Sequence, residues 1–486
     1  MFIPVLLSVL LFRHYATAQS PLIQTQNNTW NSTFTLSQSQ IASANLSDSL
    51  AHNIEVVINY ERTNHAGGPA SEDLFYSLPP TFNPHSPPPP GTIIKLENYT
   101  NTSIYTIPPG LSVSRILYTT STLNGTSTPA SGYILWPFLP KPLTNLTSAS
   151  GLPSSSSNPV YPIIAYGHGT TGQTPSCAIS KSRILADTTS TEPWAMALAG
   201  YAVIAPDYAG LGLQGVPSPY FILPTHANDL FYAVQAAQSA FPTLLSKQFV
   251  IMGQSQGGGA AWAAAQRQVT KPVEGYLGTV AASPFTDVLA DIAADPQTEN
   301  NERVVAIAQG LGSVLPSFRV SDWVTDLGIK RLALLKEVGA CNAAGSYILG
   351  GVEGEQILKE GWNSTSAAEW YRNVTLNGGK RFAGPMLVIQ GTQDPNANVN
   401  VTSNSVNETC SVFPQAQLKY VQFEGVTHVS ILYTGQQMWL QWIEDRFKGV
   451  QVPEGCEQEV VSPVRGVANV DRNVNWFIEL DLYSYE

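Results

Sequence analysis

The apolar positions of this chain fall into short, nearly continuous runs, separated by longer stretches in which apolar residues recur at helical spacing. PVYPIIAYGHG (159–169), YAVIAPDYAGLG (201–212), QFVIMG (248–253), GYLGTVAAS (275–283), GPMLVIQGTQD (384–394) and LKYVQFEG (418–425) are runs of the first kind. Strands that are apolar on both faces must be covered on both faces, so they predict a mostly parallel central sheet between helical layers. Helical spacing appears in EPWAMALAG (192–200), with Pro193 in its first turn, and in THANDLFYAVQAAQSAF (225–241), which sets Leu230, Phe231, Val234 and Ala237 on one face. It appears again over Gln436 to Phe447, with Trp439, Trp442, Ile443 and Phe447. Ser114 to Thr120 and Gly132 to Pro137 read as a hairpin forming the antiparallel edge of the sheet.

Between about Thr286 and Lys380 the rhythm breaks. RVVAIAQGLGSVLPSF, KRLALLKEVGA and SAAEWYRNV are helical patterns with no strand among them, too long for an ordinary crossover, and predict an inserted helical cap over about 286–380. Val304, Val305, Ile307, Leu311, Val314 and Leu315 have two uses open to them, an apolar binding surface or packing of cap on core.

The ends differ in texture. An apolar run from Phe2 to Phe12 is too short to span a bilayer and is followed by Ala16-Thr17-Ala18, a small-x-small cleavage signature, so residues 1–18 read as a secretory signal peptide. Residues 19–72 are polar and sequon-bearing and predict an extension of low intrinsic order. The strand-and-helix pattern predicts a main domain over 73–448, followed by a tail over 449–486. Asn-x-Ser/Thr sequons at Asn27, Asn31, Asn45, Asn98, Asn101, Asn124, Asn145, Asn363, Asn373, Asn400 and Asn407 fit a glycosylated, extracellular protein.

Charge narrows the partners. Only 12% of residues are charged and the net charge is -11, with no basic block, which argues against nucleic acid. No segment reaches transmembrane length. Cys177, Cys341, Cys410 and Cys456 have three possible pairings; without a C-x-x-C spacing they read as two structural disulfides rather than a metal site.

The chemistry concentrates at Gly253-Gln254-Ser255-Gln256-Gly257. Chance alone produces Gly-x-Ser-x-Gly in a Gly- and Ser-rich chain, but here an apolar strand precedes it and an Ala-rich helix from Gly257 to Arg267 follows. That context is the one a nucleophile elbow requires. A serine hydroxyl needs a base, an acid to orient that base, and donors for the oxyanion. His428 is the only histidine after Ser255, and Asp394 follows a strand directly, in a turn marked by Gly391 and Pro395. Glu424 lies nearer to His428 in sequence but ends its own strand. The oxyanion donors are the N–H groups of Gln256 and of Thr170 in AYGHGTTG, with the Thr170 hydroxyl a candidate third donor. His168 and Asp207 precede Ser255 and read as structural residues.

DLFYSLPP, PPPPGTIIKL, SRILYTTSTLNG, YGHGTTG, VIAPDYAGLG, GQSQGG and IQGTQD, in this order over about 73–448, resemble the fungal and bacterial secretory lipases. The resemblance implies an α/β-hydrolase fold with a helical cap, extracellular lipase or esterase activity and no cofactor; the expected partner is a lipid ester substrate, with a lipid–water interface as one setting for it, and no metal is expected. It also implies a Ser255, Asp394, His428 triad and the pairings Cys177–Cys341 and Cys410–Cys456. Thr170 stands where a member of that family has an acidic residue. Two alternatives accompany this reading: an esterase of narrower scope, and a non-catalytic binding protein built on the same fold.

Overall fold

In the computed structural model, residues 32–155, 157–187, 190–294, 300–350 and 356–471 are described. The expected signal peptide, with Asn27 and Asn31, lies outside the described residues. Ten strands form one sheet: β1 Ile93–Glu97, β2 Ser112–Ser121, β3 Ser127–Trp136, β4 Tyr161–Gly167, β5 Ala202–Pro206, β6 Leu245–Gln254, β7 Tyr276–Ala282, β8 Met386–Gly391, β9 Leu418–Phe423 and β10 Cys456–Val461. Their spatial order is β1-β2-β3-β5-β4-β6-β7-β8-β9-β10. The β1–β2, β2–β3 and β3–β5 pairs are antiparallel, and every pair from β5 to β10 is parallel.

The helices are α1 Gln38–Ser43, α2 Asp48–Thr63, α3 Glu192–Leu198, α4 Leu223–Ala240, α5 Gln256–Thr270, α6 Val288–Ala294, α7 Asn300–Val314, α8 Asp326–Val338, α9 Asn342–Leu349, α10 Ser366–Thr375, α11 Val399–Val412, α12 Ser430–Thr434 and α13 Gln436–Phe447. Alternation along the strands feeds two layers. Ile163, Ile204 and Ile251 face a core shared with α4 and α5, while Ile164, Val203 and Val250 face one shared with α3 and α13. Both sets are fully buried, as the apolar runs require. This is the α/β-hydrolase arrangement.

Helices α6 to α10 all lie between β7 and β8. Val304, Val305, Ile307 and Leu311 of α7 have no exposed surface and join the core of α4 and α5; Val314 and Leu315 pack against it partly buried. In this conformation they pack helix on core.

Three stretches depart from expectation. The hairpin β2–β3 is antiparallel but is not the edge, because β1, from the Pro-rich PPPPGTIIKL stretch, pairs outside it. The tail supplies β10, which extends the sheet beside β9 and is tied to α11 by the Cys410–Cys456 disulfide. None of its residues is fully buried, Glu457, Gln458 and Val460 are exposed, and Glu457 and Glu459 both reach Lys419, so its sequence reads as polar tail. The segment ahead of the sheet is helical where low order was expected. Ser47 caps α2 through the Leu50 N–H, and Ala51, Ile54, Val57 and Ile58 make a narrow buried stripe against the α4–α5 core. That stripe is too sparse to stand out among Asn and Ser. Among the described residues no helix is long and apolar enough to cross a membrane.

Candidate active site

Strand β6 ends at Gln254 and α5 begins at Gln256, so Ser255 occupies the whole turn between them with φ 59° and ψ −122°. A non-glycine residue with positive φ is strained, and here the strain lifts the side chain above the sheet. The flanking glycines are required by space. A Cβ on Gly257 would sit 1.9 Å from the carbonyl oxygen of Gly167, and one on Gly253 would sit 2.0 Å from that of Gly257.

His428 follows β9 and brings Nε2 to 2.9 Å from the Ser255 hydroxyl. Its Nδ1 lies 2.9 Å from both carboxylate oxygens of Asp394, in the turn after β8. Asp394 is held in turn by the N–H groups of Asn396 and Ala397, each donating to Oδ1 at 2.9 Å. Glu424 is exposed, and the imidazole bonds Asp394 instead. The three groups come from strand ends on one edge of the sheet, and Ser255 and His428 are each only 6% exposed. From above, the Phe285 ring centroid lies 6.1 Å from that of His428, and the Arg303 guanidinium of α7 covers Phe285 at 4.9 Å.

Gln256 and Thr170 both stand beside the elbow, and their side chains touch: Thr170 Oγ1 donates to Gln256 Oε1 at 3.1 Å. Among the described residues neither backbone N–H has an acceptor, so both remain unspent. His168 packs rather than reacts. Its Nδ1 bonds the Gly169 carbonyl at 2.7 Å, its ring stacks on Tyr208, and burial pushes its pKa down to about 4. Asp207 accepts from the Ser180 N–H and from the Ser131 and Ser180 hydroxyls, a knot beneath β3 and β5.

Cys177 is bonded to Cys341 and Cys410 to Cys456. The first pair joins the loop after β4 to the start of α9.

Two features escaped the sequence reading. Asp291 in α6 is buried against the acid turn, accepting from the Asn398 N–H at 2.9 Å, and burial raises its pKa well above the carboxylate range. His226 and Asp229 of α4 reach the elbow from behind. The sequence signal was a His and an Asp three apart in a helix whose neighbours are apolar, a pattern that is hard to bury without a purpose.

The secretory lipase family matches residues 178–455, well over half of the chain. The chain belongs to that family. Among curated relatives, Lipase 4 and Lipase 5 of Candida albicans are each 23% identical over 276 residues, 53% of this chain. The match spans 58% and 57% of their respective lengths. Among solved structures, Candida antarctica lipase A in its closed state aligns with a TM-score of 0.63 at 15% identity, over 83% of this chain and 94% of that one. The rice cell wall degrading esterase LipA from Xanthomonas oryzae aligns at 0.51 and 15%, over 75% and 98%. At such identities the secretory lipases and these neighbours share a fold with the chain, and its chemistry must be argued from its own residues.

Proposed function

We propose that the protein is a secreted serine carboxylic-ester hydrolase that cleaves fatty-acid esters, most simply a lipase. The observation that carries this reading is the continuous hydrogen-bonded line from Asp394 through His428 to Ser255 at the elbow. His428 Nε2 takes the Ser255 proton as Oγ attacks the ester carbonyl, and Asp394 holds Nδ1–H and stabilises the imidazolium. The oxyanion forms beside the N–H groups of Gln256 and Thr170. His428 then returns the proton to the leaving alcohol. Water repeats the cycle on the acyl-enzyme and releases the acid. Helices α6 to α10 act as the cap, and the near-complete burial of Ser255 and His428 means that substrate enters when the cap moves.

Secretion is supported by the two disulfides and by the sequons. Asn45, Asn98, Asn101, Asn124, Asn145, Asn363, Asn373, Asn400 and Asn407 are all exposed. Lipase and narrow esterase are separated by rates on esters from acetate to oleate, with and without an emulsion. Rates that rise with chain length and with the interface support the lipase reading; hydrolysis confined to acetyl esters overturns it.

A further inference from the structure

The residue after the nucleophile has a side chain that a backbone oxyanion donor does not need. Gln256 is 3% exposed and gripped at both ends: Nε2 lies 3.0 Å from His226 Nε2, and Oε1 accepts from Thr170 Oγ1 at 3.1 Å. His226 is itself buried, with its ring against Tyr208 at 4.2 Å between centroids. Its Nδ1 is 3.6 Å from Asp229 Oδ2, and that oxygen accepts from the Ala209 N–H at 3.1 Å. Among the described residues His226 Nδ1 has no hydrogen-bond partner.

The donors and acceptors along this line fix one another. A carboxylate facing Nδ1 favours the tautomer with its proton there, leaving Nε2 as an acceptor. An accepting Nε2 takes the Gln256 NH₂, which turns the amide oxygen toward Thr170. The Thr170 hydroxyl faces both that oxygen and the Tyr220 phenol; it has one proton, and donating it to the Gln256 amide leaves none for substrate.

We propose that His226 and Asp229 are positioning residues of the oxyanion hole: through the Gln256 amide they clamp Thr170, and so hold the two backbone N–H groups on one point. The Thr170 hydroxyl is on this account an anchor. The inference rests on the serine-hydrolase reading above. Preorganised donors act through placement, and loosening one loop lowers the turnover step more than ground-state binding.

The test is a kinetic double-mutant cycle on the full-length protein with a soluble p-nitrophenyl ester, preceded by fluorophosphonate titration of reactive Ser255. His226→Phe keeps the ring against Tyr208 and cannot accept from Gln256. Thr170→Val removes the anchor at a partly exposed site, so it reports even if the buried variant fails to fold. Each single change lowers kcat by about 10- to 100-fold with KM within about twofold, the pair together costs no more than either alone, and Thr170→Ser restores the rate. Unchanged kcat in folded Thr170→Val overturns the proposal. So do additive losses, which would make the hydroxyl a donor in its own right. A wild-type protein that does not label at Ser255 fails the underlying hydrolase reading instead.

Discussion

The carboxylate of Glu61, in α2, accepts hydrogen bonds of 2.9 Å from the backbone N–H groups of both Cys341 and Ala344, at the start of α9. A helix placed before the sheet in sequence therefore caps a helix inserted late in it. Arg331 of α8 completes the attachment from the other side, donating to the carbonyls of Ala44 and Asn45 that end α1. The segment before the sheet and the helices between β7 and β8 form one packed layer.

Removing the Glu61 acceptor leaves two N–H groups unpaired in a partly buried site, at about 1–3 kcal/mol each. Glu61→Ala is expected to lower Tm by several degrees in differential scanning calorimetry. Glu61→Gln, which keeps one acceptor oxygen, loses less.

Stability should fall as pH rises across the neutral range. Burial raises Glu61 to about 7 and Glu192 and Glu302 each to about 8, from an ordinary 4.5. A carboxyl whose folded pKa is raised contributes stability that is fully present below the unfolded value and is lost as pH climbs through the folded one. Urea midpoints are therefore expected to be higher at pH 5 than at pH 9, and Glu302→Gln should flatten the difference. A midpoint rising toward pH 9 would contradict the assignment.

Asp394→Asn should leave the fold intact, because the Asn396 and Ala397 N–H groups still find an oxygen there. The amide no longer enforces the tautomer that His428 needs, so kcat on a soluble ester is expected to fall by about 10³–10⁴-fold with little change in Tm.

Gly257→Ala places a methyl group 1.9 Å from the Gly167 carbonyl oxygen, against backbone that cannot yield. Loss of soluble protein, or of fluorophosphonate reactivity at unchanged secondary structure by circular dichroism, is the expected outcome. An active Gly257→Ala protein would refute the packing described for the elbow.

The parallel strands and the elbow were legible because burial on both faces forces apolar runs, and because an elbow needs small residues at fixed spacing. Ser255, Asp394 and His428 could be picked out by chain order and strand ends alone, and the structure places the three within hydrogen-bond reach. The pieces that were not legible owe their form to partners distant in sequence. β10 fully buries none of its residues and is held by a disulfide and by Lys419; α2 buries only four apolar residues and is fastened through Glu61. The His226 and Asp229 spacing marks a buried polar pair, but nothing local shows that Gln256 folds back onto His226.

The central claim is that Ser255 forms the acyl-enzyme. The most direct measurement is intact-protein and peptide mass spectrometry after a fluorophosphonate probe, with ester hydrolysis followed in parallel. The account predicts one equivalent of label on Ser255, loss of hydrolysis in step with labelling, and neither label nor measurable turnover in a folded Ser255→Ala protein. Label on another residue, or a Ser255→Ala protein that hydrolyses esters at the wild-type rate, would contradict it.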